Sequence, residues 1–182
     1  MLNGIAKLTG ATVLILPSWL FPGLAGAQDL KEHTHVIMDG RILDTPCSIA
    51  PDSRDQTISV GSTPVGVIAR QGQGQSVPFH IHLKDCVLRR TDTRLPDWNK
   101  FAITFDGEAD GDNFAVSGDA RGVALQVTDK KGNVARPGEA LEAGMLNEGD
   151  QELHFALRVV SNNKPLRKGT FWSVVHFRIN YF

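Results

Sequence analysis

The sequence predicts an all-β fold, an antiparallel sandwich of two sheets with one face of each turned inward. Three observations support this prediction. Apolar and polar residues alternate in several short stretches, and clusters of Gly, Pro, Asn and Asp separate those stretches. No stretch keeps a helical period beyond one or two turns. With 182 residues, 41% of them hydrophobic, the chain can bury the core of one domain.

The segment 1–27 is predicted to be a secretory signal peptide. Lys7 precedes an apolar stretch, which ends in the small residues Ala25-Gly26-Ala27. A transmembrane anchor is the alternative, but Pro17 and Pro22 interrupt the apolar stretch and disfavour it. We therefore expect a mature chain of residues 28–182, exported to an oxidising compartment.

The two cysteines of the chain, Cys47 and Cys86, are expected to form one structural disulfide after export. Two isolated cysteines offer too few soft ligands for a metal site. Their spacing also differs from the C-x-x-C pattern of redox pairs.

Seven segments carry the strand pattern. In the segment 101–105, for example, Phe101, Ile103 and Phe105 share one face. The last segment, 169–182, is rich in aromatic residues and has no partner after it, although an unpaired apolar strand is an aggregation hazard. The predicted strands are 35–43, 56–60, 77–83, 101–105, 123–127, 153–160 and 169–182.

These segments together resemble the pilin subunits of chaperone–usher fimbriae. The resemblance rests on "DGRILDTPCSI" (39–49), "HLKDC" (82–86), "GVALQVTDKKGN" (122–133) and the ending of the chain. In that ending, Gly169 is fourteenth from the last residue, apolar residues alternate after it, and Tyr181 is penultimate.

The resemblance implies an incomplete immunoglobulin-like sandwich that lacks its final strand and is completed by donor-strand complementation. A periplasmic pilus chaperone would first fill the open groove. At the outer-membrane usher, a neighbouring pilin subunit would replace it. Residues 47–182 would form the pilin domain. The expected groove and chaperone-contact residues are Gly169, Phe171, Val175, Phe177, Ile179, Tyr181 and Phe182.

The resemblance assigns residues 28–46 to an N-terminal donor extension for the neighbouring subunit. The donor residues would be Val36, Met38, Gly40 and Ile42, which share one face of an extended chain. Thr34 stands where the family usually has a glycine. Glu32, further along the same face, stands where a small or apolar residue is typical.

The segment 103–139 resembles the terminating, cell-anchoring minor subunit of P-type pili. An ordinary minor subunit is the equally open alternative, whereas the length leaves no room for the extra domain of a tip adhesin. In either role the protein would be exported through the periplasm to a fimbria at the cell surface and would support cell adhesion.

Two other classes of protein compete with this hypothesis. The first is a copper or zinc sandwich enzyme, because the H-x-H pairs His33/His35 and His80/His82 have metal-ligand spacing. Alternation of His80 and His82 with apolar residues instead favours simple exposure, so we predict no metal, cofactor or catalytic residue. The second is a secreted immunoglobulin-like binding module with a complete sheet. A net charge of −1 gives no argument for nucleic acid.

Overall fold

The computed structural model divides the chain into two units, Met1–Gly40 and Arg41–Phe182. It describes residues 44–182. The predicted signal peptide, the predicted strand 35–43 and the four proposed donor residues lie outside the described residues. Within the described part, no helix is long and apolar enough to cross a membrane.

Short strands dominate the described chain, and two short helices lie between the first and second strands. In chain order the elements are β1 (Ser48–Ile49), α1 (Pro51–Arg54), α2 (Val65–Gln71), β2 (Val77–Cys86), β3 (Lys100–Asp106), β4 (Ala109–Asp110), β5 (Asn113–Phe114), β6 (Ser117–Gly118), β7 (Val123–Asp129), β8 (Val134–Ala135), β9 (Gly144–Met145), β10 (Gly149–Ser161), β11 (Phe171–Trp172) and β12 (His176–Tyr181).

The strands form one large and one small sheet, with a separate two-stranded ribbon. The large sheet has the order β1-β2-β10-β7-β5-β4, and β8 also pairs with β7. The small sheet has the order β12-β3-β9, and the ribbon pairs β11 with β6. All pairs are antiparallel. This arrangement confirms the predicted all-β class and the strands near 77–83, 101–105, 123–127 and 153–160.

An aromatic cluster joins the large and the small sheet at the core. Phe79 and Phe155 lie opposite each other on β2 and β10, with ring centroids 5.5 Å apart. The ring of Phe105 on β3 meets that of Phe155 edge-on at 5.0 Å. Phe177 on β12 lies 6.4 Å from Phe105. Edge-to-face contacts of this kind add about 0.5–1.5 kcal/mol each beyond burial.

Cys47 and Cys86 form the predicted disulfide. Cys47 directly precedes β1, and Cys86 is the last residue of β2, the strand with which β1 pairs. The bond therefore closes a 39-residue separation and fixes the start of the described domain to the large sheet.

Two strand predictions differ from the structure. The segment 56–60 is not a strand, because its backbone amides make no ladder with any described residue. The predicted strand 169–182 is interrupted at Ser173–Val175. There the chain passes from its partner β6 to its partner β3. A single ladder cannot follow both partners, so the strand appears as β11 and β12.

Candidate functional site: an open groove between two strand edges

A long groove opens between the segment 53–63 and the segment 166–177. Its volume is about 1130 Å³, which exceeds the ~300–1,000 Å³ of ordinary small-molecule pockets. Each wall is a continuous stretch of chain, and burial alternates along both, as it does in a strand. Such walls suit an extended peptide better than a compact ligand.

The floor of the groove is apolar core. Side chains from β2, β3, β7 and β10 line it, and α2 adds Ile68. The strands β2, β7 and β10 each offer alternate residues to the floor, whereas β3 offers only Phe105, so the spacing of these side chains is that of a β-sheet surface. The strand residues of the floor are Phe79, Ile81, Phe105, Val123, Leu125, Val127, Leu157 and Val159.

The first wall contains the segment 56–60, where a strand was expected. Ile58 and Val60 pack against the core, while Ser59 between them is exposed. This alternation is that of a strand, yet among the described residues its backbone has no ladder partner. Backbone amides and carbonyls along this wall are therefore available to an added strand.

The second wall is formed by β11 and the start of β12. Burial alternates along 171–182 as the sequence predicted, with Phe171, Val175, Phe177, Ile179 and Tyr181 turned toward the core. These five side chains are only partly buried, whereas residues 101–105 of the neighbouring strand β3 are buried on both faces. The difference follows from position, since β12 is an edge strand of the small sheet and β3 is central.

The hydrogen-bonding register shows which backbone groups β12 leaves at its outer edge. Phe182 and Lys100 exchange two hydrogen bonds, the Phe182 amide to Lys100 at 3.1 Å and the reverse at 3.0 Å. Antiparallel ladders alternate bonded and non-bonded pairs, so residues 176, 178, 180 and 182 direct their backbone groups toward β3. The amides and carbonyls of Phe177, Ile179 and Tyr181 therefore point to the open edge.

Gly169 lies where the chain passes closest to a neighbouring segment. A Cβ atom at this position would come within 2.6 Å of the backbone nitrogen of Ala120 and of two atoms of Asp119. The amides of Asp119 and Ala120 both donate to the carbonyl of Thr170, at 2.8 and 3.0 Å. Only glycine allows this approach, which places β11 beside β6 at the mouth of the groove.

Tyr181 lies near the far end of the same inward face. Its ring meets that of Trp98 edge-on at 6.4 Å, and the Arg90 guanidinium stacks 3.3 Å over the Trp98 ring. Burial raises the pKa of the Tyr181 hydroxyl, because the charged form would lose solvation.

The structure separates the seven groove residues predicted from the sequence into three groups. Gly169, Phe171, Val175 and Phe177 line the groove. Ile179 and Tyr181 continue the same inward face beyond the lined region and pack against the core. Phe182 lies on the opposite face and is 48% exposed, so its side chain does not belong to the inward set.

Sequence reasoning missed two features of the molecule. The segment 56–60 was expected to be a strand. In addition, His80 and His82 meet Glu152 and His154 across β2 and β10, whereas no local pattern indicated this pairing. Only the register between two strands that lie far apart in the chain could have revealed it.

No family model matches the chain, but its relatives are clear. It is 32% identical over 155 residues to the PRS and PAP fimbrial minor pilin proteins of Escherichia coli, over 81% of this chain and 80% of each relative. It is also 32% identical over 182 residues to the Fimbria A protein of Serratia marcescens, over 96% of this chain and 97% of that protein.

Solved structures agree in fold. The P pilus rod subunit PapA superimposes with a TM-score of 0.67 at 24% identity, over 76% of this chain and 100% of that one. A subunit in the structure of a chaperone–usher pilus gives a TM-score of 0.65 at 22% identity, over 84% of this chain and 97% of that one.

A β-sandwich with an edge groove, together with these relatives, defines a fimbrial subunit. The chain belongs to the pilin subunits of chaperone–usher fimbriae. Its fold is the immunoglobulin-like sandwich of P pilus subunits. It is a structural subunit of a surface pilus, with neighbouring pilin subunits as partners. A separate binding module and a copper/zinc enzyme are not favoured, because the relatives are structural subunits.

Proposed function

We propose that the groove is the site of donor-strand complementation. The observation that carries this proposal is the pair of backbone edges, 56–60 and β12, that flank one apolar floor. A strand inserted between them would pair with the edge groups of Phe177 and Ile179 and would place alternate side chains on the floor. It would supply the missing final strand of the sandwich.

The first donor in this proposal is a periplasmic pilus chaperone, and the second is a neighbouring subunit at the outer-membrane usher. Residues 1–27 would direct export to the periplasm and be removed there. The half-buried side chains of β12 support a chaperone-bound stage, since an apolar edge of this kind favours association with another chain over release into solution.

The reciprocal part of the proposal is that residues 28–46 donate to a neighbouring subunit. Val36, Met38, Gly40 and Ile42 have the two-residue period that a groove floor of β-strands requires. Residues 47–182 would then form the receiving pilin domain. Donation requires residues 28–46, whereas reception requires the groove of residues 47–182. A deletion in the first segment can therefore test donation while reception stays intact.

The test co-expresses the chain with its chaperone and then with the other subunits and the usher. Deleting residues 28–42 should leave a soluble one-to-one chaperone complex but should block incorporation into fibres. Assembly of that deletion variant would show that the segment is not a donor. A mature chain that is a stable monomer without the chaperone would count against complementation itself.

We further propose that the chain is a minor subunit that terminates and anchors the fibre. The support is twofold: two of its relatives are named minor pilins, and the segment 103–139 resembles the terminating subunit of P-type pili. A strain that lacks this protein should make longer or shed fibres. Shorter or absent fibres would assign it instead to an initiating or structural position.

A further inference from the structure

Three histidines and one glutamate form a cluster on the outer face of the large sheet, away from the groove. His80 lies directly opposite His154 in the β2–β10 register, and His82 lies directly opposite Glu152. Because residues i and i+2 of a strand share a face, all four side chains stand on the same surface. They are about two-fifths exposed, so small solutes in solution can reach them.

The carboxylate of Glu152 lies at the centre of this cluster. Its Oε1 atom is 3.0 Å from Nδ1 of His80, 3.7 Å from Nε2 of His82 and 4.0 Å from Nδ1 of His154. The ligand atoms of His80, Glu152 and His154 all lie within 4.8 Å of one another. Zinc bonds of ~2.0–2.2 Å in tetrahedral geometry separate ligands by roughly 3.3–3.6 Å. The present separations are within about 1.5 Å of that spacing.

Two further observations are consistent with a metal site. Nδ1 of His80 is buried and makes no hydrogen bond, since the nearby Glu152 oxygen is close but not aligned with a ring N–H. On the other side of the cluster, Oδ2 of Asp52 lies 3.4 Å from Nδ1 of His82. A carboxylate in that position orients an imidazole so that its other nitrogen faces the centre.

We propose that His80, Glu152 and His154 bind a zinc ion, with His82 placed to supply a fourth ligand. Imidazole and carboxylate are borderline and hard ligands of the kind Zn²⁺ takes, and two strands of the large sheet hold them in place. The site tethers β2 to β10 on the face opposite the donor groove. It differs from the expectation, drawn from the sequence, that the protein binds no metal. It also goes beyond the structural role proposed above and does not depend on that role.

The test measures Zn²⁺ affinity of the purified complex between this chain and its chaperone, made without a polyhistidine tag, by competition with a chromophoric chelator, and the chaperone alone serves as the blank. A His33→Ala/His35→Ala background removes the other H-x-H pair. In this background we expect one Zn²⁺ per chain. Loss of an outer-shell partner alone typically costs about 10–100-fold in metal affinity, so His80→Ala and His154→Ala should each weaken binding at least that much.

His176→Ala is the matched control, because this exposed histidine lies on β12 of the small sheet. It should bind Zn²⁺ as the background does. Glu152→Gln preserves the size of the side chain but removes its charge, and it should also weaken binding. If the His80→Ala/His154→Ala double variant binds Zn²⁺ as tightly as the background while keeping its β-sheet circular dichroism, the proposal is wrong.

Discussion

Gly169 lies against Asp119 so closely that a Cβ atom would stand 2.6 Å from the carbonyl carbon of Asp119. The contact joins the segment that leads into β11 to the residue that follows β6. Neither segment can withdraw without breaking the two hydrogen bonds that Thr170 accepts from Asp119 and Ala120. The position of β11 beside β6, in the wall of the groove, therefore requires that residue 169 has no side chain.

Gly169→Ala should destabilise the domain by about 1–3 kcal/mol, the usual cost of overpacking, and Gly169→Leu by more. Denaturant unfolding of the chaperone-bound subunit measures the effect. Gly66→Ala is the matched control, because its Cβ would meet only the flexible end of Arg70 in α2. We expect that control to be neutral or slightly stabilising.

Substitutions at neighbouring positions of β12 should have opposite outcomes. Ile179→Asp places a charge on the inward, core-packed face, so it should reduce recovery of the soluble chaperone complex and of fibres. Asn180→Asp places the same charge on the exposed face and should have little effect. Equal recovery of both variants in pull-down and fibre assays would contradict the orientation of β12.

Tyr181→Ala should also reduce recovery of the chaperone complex and of fibres, because it removes another side chain of the inward face.

Hydrogen exchange should distinguish alternate amides along one strand. The amides of Arg178 and Asn180 bond to β3 and should exchange slowly whether or not the groove is filled. Those of Phe177, Ile179 and Tyr181 should be protected only when a donor strand is present. Amide-resolved exchange of the chaperone complex, and of the complex with a donor peptide that replaces the chaperone, tests this prediction, and protection should extend across 177–181 in both. Fast exchange of Phe177, Ile179 and Tyr181 in both complexes, beside slow exchange of Arg178 and Asn180, would rule out an added strand at this edge.

Removing the disulfide with Cys47→Ser and Cys86→Ser should lower the free energy of unfolding by about 4 kcal/mol on the chain-entropy model for this loop. Denaturant unfolding, with and without reductant, gives the value. Reductant should destabilise the wild-type protein and leave the double variant unchanged. An equal response of both proteins would mean that the bond contributes no stability.

Periodicity predicted most of the fold because the inner strands bury one face. The segments 77–83 and 153–160 show this most clearly. It failed at 56–60, where the alternation of Ile58 and Val60 is present but no described residue completes a ladder. Side-chain pattern reports which face is buried, whereas strand assignment requires a partner. That missing partner is the feature on which the proposed function rests.

The candidate site was predicted in part for a similar reason. The inward residues of 171–181 follow from alternation, but the break at Ser173–Val175 arises from the change of partner between β6 and β3. The histidine cluster depends on the register of β2 against β10, which brings His80 beside His154 although the two are far apart in the sequence. Local pattern contains no information about such long-range pairing.

The pairing of β12 with β3 also determines when the small sheet can form during synthesis of the chain. His176 lies opposite Asp106, which precedes it in the chain by many residues, so β3 is synthesised well before its neighbour β12. Until then Phe105 has no Phe177 beside it, and the nascent small sheet is open to proteases and to other chains. Folding of this half of the molecule is therefore a late event, timed by the arrival of the final strand.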